Sequence, residues 1–590
     1  MKSPELEMLR VNKQSAYNYR ERRHDDWDEN YTLYRDKVII DRLIQRQTVN
    51  IPLMKQTIRT LLKDVDDMPV LYFESIDNDD QAELFKNEYW KYTEVENRME
   101  LQDIVDKRQV FLFGRSFDQW QIVDGKIKQT IQDPMDIYVD RYTDPVNLNS
   151  ARFLIHTHIF VPLSVIEKNN DYDQEAVSRL KMWYKTSQGL IKGDQNVQML
   201  VDKNKKMRDM GIDDIDDPVL GEAYFELTMH FLMHREIGDK NEQYYLYVEA
   251  EEQEILMKKP LEEVIGTTKT HYWQTHLPYV TWADDLERQD FWSDSIADIV
   301  RPANKVLNAW FSQLVENRTL RNFGMHYYDA TVENFTPSSF APLPWGWYPV
   351  PGKPQDVLQK VDIPDLSESL DEMQFVINVM ERATGATATQ QGAPTERQIT
   401  LGEVQLALGE AKERIKGMSK FYTPAWKQRG EIFINLLEAG ADKLDAVKIY
   451  KHGSNTDDIY SREITPKDWR TKSGYLCKVW SQEERDTQNT NNIQKINYAK
   501  SVLPENQKLN EISQRKALEF AGLTPDEINT IMEEEQKRKE AMMSVPGLPG
   551  MMKQQQDQMK PGAKPISQKQ AVNRQSTGMP TPPGANPRVM

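Results

Sequence analysis

Residues Asp290–Gly324 read DFWSDSIADIVRPANKVLNAWFSQLVENRTLRNFG. Ile296, Val300, Ala303, Leu307, Trp310 and Leu314 step by four and three, the seam of a helix packed along its length. At 1.5 Å of rise per residue the stretch reaches roughly 45–50 Å. Pro302 removes one internal hydrogen bond and is expected to kink the helix. Gly324 suits its end. This helix sets the frame for its neighbours, which together read as an α+β, mostly helical, elongated chain.

Upstream lies a β-rich block, Glu222–Val280. In EAYFELTMHFLMHRE the apolar Ala223, Phe225, Leu227, Met229, Phe231 and Met233 alternate with mostly polar neighbours. That period of two predicts a half-buried strand. GDKNEQ reads as the turn and YYLYVEAEEQEILM as the partner strand. Because helices flank it, the block reads as an inserted subdomain. A charged helix, Asn196–Gly211, precedes it.

Residues 1 to 110 read mostly as helix: SAYNYRERRHDDWDENYTLYRD (Ser15–Asp36), VNIPLMKQTIRTLLKDV, and AELFKNEYWKYTEVENRMELQDIVDKRQVFLFG as one long helix. Asp124-Gly125 inside FDQWQIVDGKIKQTIQDP is a hairpin signal. DIYVDRYTDP and ARFLIHTHIFVPL are strand-like, and LSVIEKNNDYDQEAVSRLKMWYK returns to helix.

Downstream, FTPSSFAPLPWGWYPVPGKP is too rich in proline for helix. Leu366–Arg382 reads as helix. A loop of small, uncharged residues follows, ATGATATQQGAPT. Then Leu401, Val404, Leu408, Ala411, Ile415, Met418 and Tyr422 again step by three and four, with a bend expected at Pro424 before the helix runs on to Gly440. DAVKIYKHG and GYLCKVW look like strands, and SQEERDTQNTNNIQKINYAKSVL like helix. Thr524-Pro525-Asp526-Glu527 is a capping box with proline at the first helical position. Residues 541–590 are rich in Met, Gln, Pro and Gly, a composition expected to remain disordered.

The 590 residues carry a formal charge of -17. Affinity for DNA comes mainly from cations that neutralise phosphates, so an acidic chain is a poor non-specific DNA binder. Cys477 is the single cysteine, which excludes an intrachain disulfide and a cysteine-based zinc or iron–sulfur site. The first twenty residues lack the apolar core of a signal peptide. No apolar run approaches the roughly 18 residues that span a bilayer.

Catalytic signatures are thin. No GxxxxGK[ST] occurs, and Pro394 and Thr395 stand after Gly385 and Gly392 where a phosphate cradle needs Lys-Ser/Thr. His156 and His158 form an HxH pair on a strand, and His230 and His234 an i, i+4 pair. Such pairs are more often structural than metal-binding. Acidic runs at Asp25–Glu29, Asp213–Asp217 and Asp284-Asp285 read as solvated faces. No GxSxG occurs. No enzyme activity and no cofactor are expected.

In order and spacing the chain resembles the portal proteins of tailed double-stranded DNA bacteriophages, particularly the short-tailed type. The resemblance covers roughly residues 15–510. It rests on DDWDENYTLYRD, on QDPMDIYVDRYTDP followed by ARFLIHTHIFVPLSVIEK, and on LPYVTWADDLERQDFWSDSIADIVRPANKVLNAWFSQLVENRT. The last piece is the Gly/Thr loop ahead of PTERQITLGEVQLALGEAKERIKGMSKFYTPAWKQRGEIFINLLEAG.

The resemblance implies a ring, commonly of twelve subunits, at one capsid vertex, assembled in the host cytoplasm and carried in the virion. It implies a wing (1–195 and 324–480), a first stem helix (196–218), a clip (219–282), a second stem helix (283–323), a short helical crown (481–540) and a tail (541–590). The channel loop would lie near 384–395, with Thr384, Gly385, Thr387, Thr389, Gln390, Gln391, Gly392 and Thr395. Implied partners are double-stranded DNA in the channel, the terminase large subunit, the major capsid or scaffolding protein and a head–tail adaptor, with no membrane.

Physical reasoning agrees with a conduit, because net negative charge repels phosphate and keeps DNA from being gripped. Arg301, Lys305, Arg318 and Arg321 on the long helix are the expected cationic contacts, either to the channel or between subunits. Two rivals stand beside this reading: another head–tail connector or scaffold-type structural protein, and a metal-dependent nuclease.

Overall fold

In the first helix, α1 (Pro4–Tyr34), buried positions recur every three or four residues, but three of them, Lys13, Arg20 and Asn30, are polar. Those polar residues hide the stripe from a hydrophobicity reading, and the helix begins eleven residues before the expected Ser15. Arg20 is fully buried and donates to the carbonyls of Pro134, Met135 and Ile137 at 2.6–2.9 Å, while its guanidinium lies 3.6 Å from the centre of the Tyr138 ring. A buried cation is tolerated when its donors are all aimed at acceptors.

The computed structural model describes residues 4–187 apart from 37–48, 66–67 and 77–78; 203 and 205–206; 223–286 apart from 237–240; 290–328 apart from 324–325; and 331, 353, 358–360, 362–366, 369–386, 401–452, 459–465, 474–480, 514 and 531–532. The expected helix before the β block is described only at three lysines. The proline-rich 335–354 stretch, the crown and the tail lie outside the described residues apart from single positions. The chain divides into two units, 1–485 and 486–590, and the helices and strands named below belong to the first. About 53% of the described residues are helix and 23% strand, a mixed α+β protein.

After α2 (Leu53–Asp64) comes β1 (Val70–Ser75), a strand inside the region expected to be helical. It pairs antiparallel with Tyr475–Trp480, some four hundred residues away, from Val70↔Trp480 to Ser75↔Tyr475. The expected single long helix that follows is two, α3 (Asp80–Glu96) and α4 (Met99–Phe113). Arg98 breaks it with φ 51°. The Asn97 side chain plugs the gap, donating to Thr93 O and Ile127 O and accepting from Gln129 N. At the end of α4, Gly114 has φ 76°, and a Cβ there would meet Ser293 O at 2.1 Å, so only glycine fits.

The Asp124-Gly125 hairpin forms as expected between β2 (Ser116–Val123) and β3 (Lys126–Gln132), both turn residues having positive φ. A second sheet follows the order β4-β5-β6-β7-β8, from β4 (Ile137–Val139), β5 (Phe153–Pro162), β6 (Tyr224–His234), β7 (Gln243–Ala250) and β8 (Glu254–Pro260). Helices α5 (Leu163–Lys168) and α6 (Gln174–Ser187) lie between β5 and β6, and α7 (Leu261–Ile265) follows β8.

Three expectations for the β block change here. It is not closed on itself, because β6 pairs with β5, and β9 (Tyr279–Trp282) pairs with β2. Strand β6 is central and covered on both faces over most of its length, rather than half-buried. The expected partner strand is two strands, turning at Glu251-Glu252, both with positive φ and neither of them glycine or asparagine.

The long helix, α8 (Ile296–Phe323), has 28 residues. Ser295 and Asp298 cap it reciprocally, Asp298 N donating to Ser295 Oγ at 3.1 Å and Ser295 N to Asp298 Oδ2 at 2.8 Å. The expected seam is the packed one, with Ile296, Val300 and Leu307 buried and Ala303, Trp310 and Leu314 against the core. Pro302 lies inside the helix.

Strands β10 (His326–Tyr328) and β11 (Leu358–Lys360) pair, and α9 (Ser369–Thr384) packs on α8. Helix α10 (Leu401–Ala439) runs without a break through Pro424. Strands β12 (Val447–His452) and β13 (Ile459–Ile464) form a hairpin, and β14 (Tyr475–Trp480) closes on β1. Phe433 of α10 sits 4.9 Å from Trp90, 5.5 Å from Phe73 and 6.0 Å from Tyr89, joining α10, α3 and β1. Each such pair contributes about 0.5–1.5 kcal/mol beyond burial. No described helix is long and apolar enough to cross a membrane.

Candidate functional site

Lys203, Lys205 and Lys206 share one helical turn and reach three separate elements. Lys203 Nζ lies 2.5 Å from Glu251 Oε2 and 3.4 Å from Glu226 Oε2. Lys205 pairs with Asp28 of α1 at 2.6 Å. Lys206 bridges Asp133 at 2.6 Å and Asp136 at 2.8 Å. From the other side, Lys13 of α1 reaches Glu252 at 2.7 Å.

This junction is built on strained backbone. A bulge interrupts the β5–β6 register between His156 and Ile159, and His158 within it has φ 57°. With Glu251 at 52° and Glu252 at 54°, three non-glycine residues hold positive φ here. Each costs about 1–2 kcal/mol, which the surrounding ion pairs offset. The bulge sets His158 Nδ1 2.8 Å from Asp136 Oδ1, while His156 Nδ1 meets the Tyr279 hydroxyl at 3.0 Å.

The charges interlock. Burial pushes the Glu226 carboxyl up, but Lys203, Lys13 and His158 outweigh it and hold it at about 2. Burial likewise opposes ionisation of Asp136 and Glu252, yet His158 and Lys206 keep the first below the usual range, and Lys13 keeps the second there. Glu251 goes the other way, raised by burial and the Glu226 charge despite Lys203. Burial pushes His156 down to about 4. Each carboxylate named here is engaged by a cation, so the arrangement clamps α1, the lysine-bearing turn and two strands together.

The histidine pairs of the sequence do not converge. His156 and His158 take different partners, and His230 Nε2 lies 3.0 Å from Glu249 Oε1 while His234 lies 3.6 Å from Glu236. Among the described residues no three His, Cys, Asp or Glu side chains gather as a metal site.

Three of the four expected cationic contacts on α8 are engaged within the chain. Arg301 pairs with Asp26 at 2.7 Å and Asp298 at 2.9 Å, Lys305 with Glu29 at 3.0 Å, and Arg321 with Asp365 at 2.6 Å. Arg318 is exposed. Of the expected channel loop, Thr384 is the last residue of α9 and is buried, its hydroxyl donating to Met380 O at 3.0 Å. Gly385 ends that helix with φ 82°, its N–H on Glu381 O at 2.8 Å, and a Cβ there would touch nothing within 4 Å. Both belong to the helix end rather than to a loop. Thr387, Thr389, Gln390, Gln391, Gly392 and Thr395 lie outside the described residues.

A second ionic cluster escaped the sequence reading. Arg429 of α10 is fully buried, with Nε 2.7 Å from Asp118 Oδ2, Nη2 2.7 Å from Asp106 Oδ2 and Nη1 3.7 Å from Asp103 Oδ1. Trp282 donates to Asp118 at 2.6 Å, Lys107 pairs with Asp103 at 2.5 Å, and the guanidinium lies 4.2 Å from the Trp282 ring. Burial raises both Asp106 and Asp118 against the pull of Arg429. A signal was present: Arg429 falls on the apolar stripe of Tyr422, Trp426, Ile432, Phe433 and Leu436, where a charge needs a partner.

No family model matches the chain, and no curated protein matches it.

Proposed function

We propose that the chain is a phage portal protein, a ring-forming conduit at one capsid vertex through which double-stranded DNA enters and leaves. In this reading it hydrolyses nothing itself, and the terminase motor and head–tail adaptor proteins dock on the ring. The major capsid or scaffolding protein would surround it. The wing, stem, clip and crown divisions of the sequence reading belong to this proposal.

The observation that carries it is α8. It is 28 residues long, about 42 Å, with its buried residues concentrated in the first half and exposure rising towards its C-terminal end. A helix that runs out of its own core is suited to packing beside neighbours in an assembly. The formal charge of -17 supports a channel that does not grip phosphate. The pairing of Arg301 and Lys305 with α1 acids further lowers the free cationic charge along α8.

The test is a deletion. Removing residues 387–392, while keeping Gly385 to cap α9, is expected to leave rings intact and to impair DNA packaging or retention. Normal packaging by rings that lack the loop would contradict its role in the channel.

A further inference from the structure

Helix α8 carries a second stripe beside its packed seam. Ile299, Val306, Gln313 and Leu320 stand seven residues apart and all four are exposed. A seven-residue spacing is the period at which one helix meets another along a supercoiled contact. Helix α9 shows the matching feature. Its Met373 and Met380 are buried, while Phe375 and Val379 on the other side are 68% and 50% exposed. One face of α9 is occupied within the chain, where α9 packs on α8, and the other presents apolar side chains to solvent.

We propose that the exposed face of α9 in one subunit packs on the exposed stripe of α8 in the next copy of this chain. The charges at the helix ends choose the occupant and its direction. The first turn of α9 exposes Asp371 and Glu372 on the Phe375 side, and the last turns of α8 carry Arg318 and Arg321. Antiparallel docking brings the acidic first turn of α9 to the basic last turns of α8. The lengths agree as well: Val306 to Leu320 covers about 21 Å and the 16 residues of α9 about 24 Å. Within the chain the same polarity already holds, since Arg321 pairs with Asp365 and Asn317 donates to Pro364 O just before α9. The result is an alternating array, α8–α9–α8–α9, running from copy to copy.

Two unlike patches on one subunit make a head-to-tail contact, which closes into a ring when the rotation allows. The inference deepens the ring reading by naming the helices that meet, and it rests on that reading for closure alone.

The test uses the full-length protein and measures mass by native mass spectrometry and sedimentation. Phe375→Asp blocks the α9 face and Val306→Asp the α8 face, both at exposed positions, with circular dichroism checking the fold. The wild type is expected to assemble and each variant to run as a folded monomer. Mixed one to one, the variants are expected to form a dimer and nothing larger, because each keeps one half of the contact. Wild-type rings with both variants also forming rings would overturn this contact and leave the ring reading standing. A mixture that stays monomeric would overturn the head-to-tail arrangement. A wild type that is monomeric at high concentration would overturn both.

Discussion

Arg429 Nε lies 2.7 Å from Asp118 Oδ2, joining residues 311 apart in sequence with both side chains fully buried. The pair fixes the C-terminal half of α10 to β2, and Asp106 brings in α4. Removing one partner of a buried ion pair leaves the other charge uncompensated and costs about 3–5 kcal/mol. Arg429→Met is expected to lower stability by about that amount in denaturant unfolding. Adding Asp106→Asn and Asp118→Asn to the same chain is expected to recover much of it. A variant as stable as wild type would show that the cluster does not hold α10.

Asp284 gives a pH test. Burial pushes its carboxyl up from 3.8 to about 7. Between those values the folded chain holds a proton that the unfolded chain has released, so stability from this group falls as pH rises towards 7. Asp284→Asn keeps the shape and removes the titration. The variant is expected to gain melting temperature relative to wild type as pH goes from 5 to 8. A constant difference across that range would contradict the assignment.

At the lysine junction the sign reverses. Glu226 is held at about 2, so its contribution is present above its ordinary 4.5 and is lost as pH falls towards 2. Lys203→Met strips its closest buried cation from Glu226 and Glu251. The expected loss is about 3–5 kcal/mol near neutral pH, shrinking as the solution is acidified. Hydrogen exchange should also rise around residues 203–206. An unchanged exchange profile would mean that the clamp is not what holds this turn.

Gly385 ends α9 in a left-handed conformation with open space where a Cβ would go. Gly385→Ala therefore adds conformational strain without a clash, about 1–2 kcal/mol. A modest fall in melting temperature with unchanged assembly is expected. A large loss of assembly would place Gly385 in a contact between copies.

What the sequence made legible was local. The seam of α8, the Asp124-Gly125 hairpin, strand β6 and the strands at 447–452 and 475–480 each carry their own periodicity or turn residues. What it hid depends on distant partners or on turns without the usual residues. VLYFES becomes β1 only because β14 arrives from the far end of the unit. The chain turns at Arg98, Glu251 and Glu252 with positive φ and no glycine to announce it. Lys203 and Lys206 read only as part of a charged helix until Glu226, Glu251, Asp133 and Asp136 stand beside them. The expected cations of α8 illustrate the same limit, since their partners Asp26 and Glu29 lie on α1, more than 270 positions away.

The central proposal, a ring with an axial channel, is tested most directly by electron microscopy of the purified full-length protein. The account predicts closed rings with a central hole wide enough for duplex DNA, with α8 of neighbouring copies around the axis. Monodisperse single chains, or open filaments without a closed ring, would contradict it.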